Sequence, residues 1–449
     1  MAPDYQPPET AAPAQYKEVS GWTAATPLDA LPRGNWWEAF NDPVLNDLEE
    51  RAETASPTLM AALARYDEAL ATARSEGADL FPQINAGGSA SRERVSGNRP
   101  LGNGTPQDYN DFIVGGTLDY ELDLWGRVRN SVKAARAEAT ASRADLASAR
   151  LSLQAAVGDT YIRLRGLDAE TDLLNRTVAA FDRAYQLTRT RHDGGIASGI
   201  DVNRARTALS NAKARISVTA NQRAATEHEL AALVGAVASD FSIPTRLQPL
   251  VAPEIPAGTP SELLQRRPDI AASERRIFAA NARIGVARAA FYPKISLGLS
   301  GGWEANHGDL LQTANTFWGL GPLSAVVSMF DGGRRSAQVK FSRAHYDEEA
   351  ALYRDTVLTA FRQVEDGIAA MRHLSGQLVD QRDAAEAAQR TSELAFTRYR
   401  DGASDYLEVV IAQTDALNTQ ELLLAAEIQR MRSSIALVKA LGGSAAFPK

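Results

Sequence analysis

The candidate functional residues of this sequence are carboxylates that alternate with other residues in one short stretch. Asp119, Glu121 and Asp123 occupy every second position, with tyrosine or leucine between them. Successive side chains point to opposite faces of a strand, so the stretch predicts one apolar face and one acidic face that attracts cations. A soluble sheet with one solvated side has the same pattern. The residues alone leave both interpretations open.

Other kinds of chemistry have little support in the sequence. The chain has no cysteine, which excludes disulfides, thiol catalysis and cysteine metal ligands. Five histidines lie without metal-ligand spacing: His192, His228, His307, His345 and His373. No nucleophile motif or phosphate-binding loop is present. We therefore predict no enzyme activity, no catalytic residue, no metal site and no cofactor.

Composition indicates a folded chain without a nucleic-acid partner. Of its 449 residues, 44% are hydrophobic and 23% are charged, and the net charge is −7. Basic and acidic residues are interspersed along the predicted helices. No apolar run approaches the roughly 18 residues of a membrane-spanning helix, although barrel strands carry a much weaker signal. The chain begins without a signal-peptide pattern, which predicts a mature or trimmed sequence.

The elements that must position the acidic residues occur twice. A shift of 207 positions places Gly195 on Gly402 and Gly235 on Gly442. Each copy predicts a long helix, a turn that contains glycine and a returning helix. A repeat of this size determines the architecture, so we expect a helical hairpin that is present twice.

Each half also predicts a β-hairpin, at residues 82–125 and 293–331. A helix ends at Phe81-Pro82 or at Phe291-Tyr292-Pro293, and the apolar period then changes to two. The strands are roughly ten residues long, which is the length that a tilted strand needs to cross a bilayer. Three tryptophans lie near strand ends, where membrane interfaces collect aromatic residues: Trp125, Trp303 and Trp318. Four strands cannot close a barrel with a usable lumen, so membrane crossing predicts an oligomer.

Helices of unusual length follow the two hairpins. The stretches 127–191 and 334–400 are nearly free of proline and glycine, and each predicts a helix of roughly 95 Å. Apolar residues at heptad spacing predict coiled-coil packing. The predicted organisation is an extended arm and equatorial start at 1–55, a first repeat at 56–235 with its tip at 193–199, a proline-rich crossover linker at 236–267, a second repeat at 268–442 with its tip at 401–405, and a tail at 443–449.

Four motifs link the chain to a known family. They are Pro3-Asp4-Tyr5 followed by Pro7 and Pro8, Trp36-Trp37 through Asp42-Pro43 to Leu45, the stretch from Ile255 to Ile270 with Leu263-Leu264 inside it, and Phe330-Asp-Gly-Gly-Arg334. With these motifs the chain resembles the TolC-like outer-membrane efflux channels, in particular the NodT-type lipoproteins of RND efflux systems. The resemblance covers nearly the whole chain.

The resemblance implies a fold class and a place in the cell. The fold is mainly α with a small β part, in which a homotrimer builds a long-helix α-barrel and a transmembrane β-barrel from four strands per chain. The channel is expected in the outer membrane of a Gram-negative bacterium, in contact with its lipid and extending into the periplasm. Family lipoproteins carry a lipidated cysteine at the mature amino terminus, so the resemblance also implies an anchor at a cysteine that this sequence lacks.

The implied function is passive export. The resemblance implies a channel subunit of a tripartite efflux pump that exports small molecules such as drugs and toxic compounds, with antibiotic resistance as a consequence. Its implied partners are a periplasmic adaptor protein and an inner-membrane RND-type pump. Adaptor hairpins would dock at the two tips, which contain Gly195 and Ile196 in one hairpin and Gly402 and Ala403 in the other. On their own, these glycines are typical of any helix C-terminal turn.

The resemblance also assigns a gate at the periplasmic end. A hydrogen bond from the Tyr399 hydroxyl to the Asp201 carboxylate is the implied latch, and a bond of this kind contributes about 1.5–3 kcal/mol when sheltered. A solvated tyrosine beside a helix-capping aspartate is the alternative. In a channel of this kind, Asp119, Glu121 and Asp123 are expected to face the lumen.

The constriction is assigned to one stretch of the second hairpin. Leu407 occupies the position of an apolar constriction, and three copies of Glu408 would form an acidic ring. Ile411 stands where relatives often have aspartate, and Thr414 stands where some have arginine. Ser404 replaces a basic residue found in some relatives. These departures predict an aperture that is more apolar and less braced by charge.

Two other functions compete with the efflux duct. An outer-membrane duct for type I protein secretion would share the architecture, but the proline-rich linker and the amino-terminal motifs favour the efflux lipoproteins. A periplasmic coiled-coil scaffold or adaptor would account for the long helices, but it would lack alternating strands beside glycine-rich loops. The residues do not identify the exported compound or the particular pump and adaptor.

Overall fold

The computed structural model describes residues 2–5, 17, 35–98, 100, 104–247 and 266–443. The helices are α1 (Pro43–Ala55), α2 (Pro57–Ala78), α3 (Arg127–Asp193), α4 (Gly199–Leu233), α5 (Pro268–Ala289), α6 (Arg334–Arg400) and α7 (Tyr406–Ala440). The strands are β1 (Gln83–Val95), β2 (Gln107–Glu121), β3 (Lys294–Ala305) and β4 (Thr316–Val326). Most of the predicted amino-terminal arm and the linker from 248 to 265 lie outside the described residues.

The predicted helices and strand hairpins are present. Pro43 begins α1 behind Asp42, whose carboxylate accepts the backbone N–H of Val44 at 2.9 Å, as its N-cap position predicts. The last strand ends at Val326, before the predicted end of its hairpin at residue 331. The predicted fold class, mainly helical with one small sheet, is confirmed. Among the described residues, none of the helices is both long and apolar enough to cross a membrane.

The contacts group the chain into two units, and each unit draws on both halves of the sequence. The first contains residues 65–143 and 272–354 with the first few residues of the chain. The second contains residues 144–271, the region before residue 65 and everything after 354.

The first unit contains the sheet, in which the strands follow one another in the order β1-β2-β3-β4. All neighbours are antiparallel, and the β2–β3 pair joins the two hairpins. Each hairpin therefore contributes two adjacent strands. Of the tryptophans near strand ends, Trp318 exposes 81% of its surface, while Trp125 stacks on Tyr292.

Glycines face one another at one level of this sheet. Gly115 of β2 lies opposite Gly87 on one side and Gly302 on the other. A Cβ built on Gly302 would overlap the carbonyl oxygen of Val114 and lie 2.5 Å from the Cα of Gly115. Side chains at these two positions would prevent the close approach of β2 and β3. Glycine permits such an approach because it has no Cβ.

The second unit is held together by an apolar cluster around the first tryptophan pair. Trp36 and Trp37 pack with Leu45 and Leu48 of α1, and helices α3, α4 and α7 contribute Tyr161, Leu164, Leu230 and Ile435. These side chains are all less than 5% exposed. Burial of large aromatic and aliphatic side chains is the main source of stability for such a unit.

A buried ion network fixes the start of the crossover linker in the second unit. The Asp168 carboxylate accepts hydrogen bonds from Arg165 Nη1 at 2.9 Å and Arg223 Nε at 2.7 Å. The same two arginines donate to the carbonyl oxygens of Pro244 and Ile243, each at 2.8 Å. The network therefore couples α3, α4 and the linker through one carboxylate.

A second buried carboxylate has no partner. Glu49 is completely buried, and neither of its carboxylate oxygens has a hydrogen-bond partner among the described residues. Trp36 and Ile435 lie with it around Gly158. Burial, with a smaller contribution from the charge of Glu53, raises the pKa of Glu49 from 4.5 to about 9. Glu49 is therefore protonated in the folded chain at neutral pH.

We expect Glu49→Gln to stabilise the protein and to flatten the pH dependence of its stability. The folded state keeps this proton up to about pH 9, whereas the unfolded chain releases it near pH 4.5. The free energy of unfolding therefore falls as pH rises between these values, by about 1.4 kcal/mol per pH unit and about 3 kcal/mol by pH 7. Thermal unfolding from pH 5 to pH 9 measures the effect, with exposed Glu50→Gln as the matched control. Parallel pH profiles for wild type and Glu49→Gln would contradict it.

Candidate functional site

The candidate site lies at the turns of the two helical hairpins. Helix α3 ends at Asp193 and α4 begins at Gly199, whereas α6 ends at Arg400 and α7 begins at Tyr406. Gly195 has a φ of 76° and Gly402 a φ of 83°, which is the left-handed conformation that a helix C-terminal turn requires. The predicted turn positions of both glycines are confirmed.

Side chains cap the helices that leave the turns. Ser198 accepts the backbone N–H of Asp201 at 3.2 Å, and Asp405 accepts the backbone N–H of Glu408 at 3.2 Å. Ile196 is 79% exposed at the first tip, and Ala403 is exposed at the second. The tips thus present Ile196 and Ala403 to solvent on turns whose following helices are capped.

The predicted hydrogen bond between Tyr399 and Asp201 is wrong for this structure. Tyr399 is 3% exposed, and its hydroxyl donates to Thr188 Oγ1 at 3.0 Å. The Thr188 hydroxyl donates in turn to the carbonyl oxygen of Ala184 at 2.8 Å. Thr188 is therefore an acceptor for Tyr399, and the bond joins α6 of the second hairpin to α3 of the first.

The Asp201 side chain interacts with residues at the start of its own helix, α4. Its carboxylate accepts the Ser198 hydroxyl at 3.0 Å and lies 3.9 Å from Arg204 Nη1. These local contacts follow from its place in the first turn of α4, where a carboxylate favours the positive end of the helix. Asp201 therefore stabilises the start of its helix, and Tyr399 bonds to the threonine on the neighbouring helix.

Two further side chains surround Tyr399. The guanidinium of Arg191 lies 4.5 Å from the centre of the Tyr399 ring, and its Nη2 donates to the carbonyl oxygen of Arg400 at 3.1 Å. Tyr406 packs edge-on against the Tyr399 ring at 5.6 Å. Burial raises the pKa of Tyr406 to about 12, with smaller contributions from Tyr399 and Asp201.

Sequence reasoning missed Thr188, Arg191 and Tyr406. The missed signal is the heptad phase of α3, since Phe181, Ala184 and Thr188 are spaced for one seam. All three are buried. This phase identifies Thr188 as a buried residue of α3, but it does not identify the partner, since Phe181 of the same seam packs against Leu209 and Ala212 of α4.

The predicted constriction residues share an exposed side of α7. Leu407 is 41% exposed and Ile411 is 54% exposed, and Thr414, one turn further on, is also exposed. Glu408 is exposed beside Leu407. The opposite side of α7 buries Tyr406, Val409 and Gln413. The chain thus presents the four predicted residues to solvent and uses the other side for packing.

Two of the three carboxylates in the predicted acidic row form ion pairs within the chain. Asp119 is exposed, but both carboxylate oxygens of Glu121 accept from Arg127, at 2.8 Å each, and Lys294 lies 3.1 Å from it. Asp123 lies beyond the end of β2 and accepts the backbone N–H of Arg129 at 2.8 Å. The alternation could not reveal these pairs because the bases belong to the start of α3 and to β3. In the part of the chain that the structure covers, no three His, Cys, Asp or Glu side chains form a group that could hold a metal ion.

We expect Tyr399→Phe and Thr188→Val to loosen the hairpin tips by similar amounts. Each removes the hydrogen bond, whose net contribution is about 0.5–1.5 kcal/mol, so the ratio of separated to packed tips should rise roughly 2- to 10-fold. Amide hydrogen exchange at the two tips measures this ratio. Asp201→Asn is the control, because it leaves the Tyr399–Thr188 bond intact. A larger effect from Asp201→Asn than from Thr188→Val would contradict the assignment.

Comparisons with known proteins concern the chain as a whole. The profile of the outer membrane efflux protein family matches residues 48–236 and 259–443, one stretch in each half. The toluene efflux pump outer membrane protein TtgC of Pseudomonas putida is 34% identical over 448 residues, which cover 99% of this chain and 92% of that protein. The pyoverdine export outer membrane protein OpmQ of Pseudomonas aeruginosa is 32% identical over 439 residues, covering 96% and 91%. The solved structure of the outer-membrane channel OprN superposes with a TM-score of 0.91 at 29% identity over 99% of both chains.

Proposed function

Because this chain belongs to the outer membrane efflux protein family, we propose that three copies of it form the exit duct of a tripartite efflux pump. Family membership confirms the predicted place in the outer membrane and the predicted role as the outer-membrane component of an efflux system. The observation that carries the proposal is the agreement with OprN along essentially the whole chain, helices and sheet alike.

The sheet supports a trimer. Within the described residues, β1 and β4 each pair with only one strand. A sheet edge in hydrocarbon would leave backbone N–H and C=O groups without partners, which costs several kcal/mol each. Two further copies would pair these edges and close a barrel of twelve strands.

The partners of the proposed duct are a periplasmic adaptor and an inner-membrane RND-type pump. The adaptor would dock at the exposed tips, where Gly195 and Ile196 stand in one hairpin and Gly402 and Ala403 in the other. The chain conducts and does not catalyse. Two relatives at similar identity are named for toluene efflux and for pyoverdine export. We therefore propose that this chain exports small organic molecules. We also propose that the inner-membrane pump selects which molecules are exported.

The gate is proposed at the start of α7. Leu407, Ile411 and Thr414 would line the aperture, and Glu408 would provide a ring of three carboxylates. No contact of the described chain favours the alternatives of a type I secretion duct or a periplasmic scaffold. Asp119 is the residue that we propose as a lumen acid of the barrel, since Glu121 and Asp123 are engaged in ion pairs at the junction of sheet and helix.

We expect Glu408→Gln to weaken the preference of the channel for cations. Three carboxylates brought together by three-fold symmetry attract cations, and the amide does not. The reversal potential under a salt gradient measures this preference, with Glu427→Gln as a control on the same helix, away from the tip. An unchanged reversal potential would exclude the Glu408 ring.

The function itself is tested in cells. Removing the gene should increase the accumulation of a fluorescent efflux substrate, and restoring the gene should reverse this. The protein should copurify with a periplasmic adaptor after crosslinking, and Gly402→Trp at the tip should abolish copurification. Normal efflux in the deletion strain, together with no crosslinked adaptor, would overturn the proposal.

A further inference from the structure

A cavity of about 610 Å³ lies in the second unit between α3, α6, α7 and the start of the linker. Five arginines line it: Arg165, Arg176, Arg246, Arg382 and Arg430. The acidic residues in the lining are Asp172 and Glu427. Each of these acids already pairs with one arginine, Asp172 with Arg176 at 3.0 Å and Glu427 with Arg382 at 3.2 Å. Arg165 likewise pairs with Asp168 at 2.9 Å and Arg246 with Asp42 at 3.3 Å. Arg430 is therefore the arginine of this lining that has no ion pair among the described residues.

Two guanidiniums in the lining have nitrogen atoms without partners. Arg165 is 5% exposed in its side chain and uses Nε and Nη1 in hydrogen bonds, whereas its buried Nη2 has no partner among the described residues. Arg430 forms no ion pair in the described chain, and its Nε is buried without an acceptor. A guanidinium offers five N–H donors, and buried donors are normally satisfied. The Arg165 Nη2 and Arg430 Nε atoms therefore lack a hydrogen-bond acceptor among the described residues.

Apart from Gln420, the remaining wall is apolar. Leu173, Leu247, Leu423, Leu424 and Met431 lie in the same cavity. Pockets for small molecules typically have this character, with a mostly apolar lining, a few placed polar groups and a volume of roughly 300–1,000 Å³. A free inorganic anion would leave the apolar part of the cavity without a contact. An uncharged molecule would leave the guanidinium donors unsatisfied.

We propose that this cavity binds an amphiphilic anion, a molecule in which a sulfonate, carboxylate or phosphate group is attached to an apolar body. The anionic group accepts hydrogen bonds from Arg430 and from Nη2 of Arg165, since guanidiniums match the geometry of such oxyanions. The apolar body contacts the leucines and Met431. The site is separate from the residues proposed for the gate.

Calorimetric titration of the purified trimer in an uncharged detergent with naphthalene-1-sulfonate tests the proposal. We expect saturable binding of one molecule per chain. Arg430→Gln should weaken it at least 10-fold, because a hydrogen bond to a charged group is lost. Arg189→Gln, which makes the same charge change at an exposed position of α3, should leave it unchanged. Naphthalene-1-methanol, which has the apolar body without the charge, should bind at least 10-fold more weakly.

A parallel titration with dihexanoyl phosphatidylglycerol distinguishes a lipid headgroup from a soluble anion. Whichever of the two binds more tightly identifies the source, and in either case Arg430→Gln must weaken the binding. Absence of saturable binding by both probes would overturn the proposal. Equal affinities in wild type and Arg430→Gln would overturn it as well, since binding would then belong to the detergent or to another surface. Neither result would affect the proposed export function, which is measured in cells.

Discussion

Gly302→Ala is expected to abolish assembly of the channel. The new Cβ would overlap the carbonyl oxygen of Val114 and lie 2.5 Å from the Cα of Gly115. Both are backbone atoms, so no side chain can rotate to make room, and β2 and β3 must separate at this level. Overpacking in a core costs about 1–3 kcal/mol, and backbone groups that lose their partners in hydrocarbon cost several kcal/mol each.

The measurement is the yield of detergent-stable trimer from outer membranes, together with export in the deletion strain. Gly302→Ala should give little or no trimer and a strain as sensitive as the deletion. Gly87→Ala is the matched control, because a Cβ at Gly87 meets no atom within 4 Å. A normal trimer yield from Gly302→Ala would show that β2 and β3 tolerate a wider separation than the structure describes.

The second large effect is expected from Asp168→Ala. This carboxylate is 1% exposed and holds Arg165 and Arg223 at the start of the linker. Its removal leaves buried guanidinium groups without a counter-charge, and breaking a buried pair in this way typically costs about 3–5 kcal/mol. The free energy of unfolding of the helical part should fall by a similar amount, with earlier thermal unfolding and more rapid proteolysis near the linker.

Asp172→Ala provides the control on the same helix. Asp172 pairs with Arg176 at 3.0 Å, but the two side chains are 39% and 69% exposed. Exposed pairs of this kind contribute about 0–1 kcal/mol, so the melting temperature should hardly change. Similar melting temperatures for the two variants would mean that the Asp168 network does not stabilise the linker.

The sequence predicted the elements well because their signals are local and strong. The repeat located both turns through Gly195 and Gly402, and the change of apolar period at Pro82 and Pro293 located both hairpins. The Asp42-Pro43 pair located the start of α1. Apart from the repeat, which compares positions 207 residues apart, these signals depend on residues within one or two turns of the element that they define.

Hydrogen-bond partners that are far apart in the sequence were harder to predict. Tyr399 was identified correctly as a hydrogen-bonded residue near the second tip, but its acceptor lies more than two hundred positions away. A family resemblance suggested Asp201, whereas the heptad phase of α3 indicates only that Thr188 is buried. The buried state of Glu49 was likewise invisible, because a single glutamate on an amphipathic helix is usually solvated.

The most direct test of a trimeric outer-membrane duct is single-channel recording of the purified protein in a planar lipid bilayer, combined with its mass in detergent. We expect a particle of three chains that inserts spontaneously and gives small, mostly closed, cation-selective steps, with longer openings in Tyr399→Phe and Thr188→Val. A protein that remains a monomer and gives no current at any voltage would contradict a trimeric outer-membrane duct.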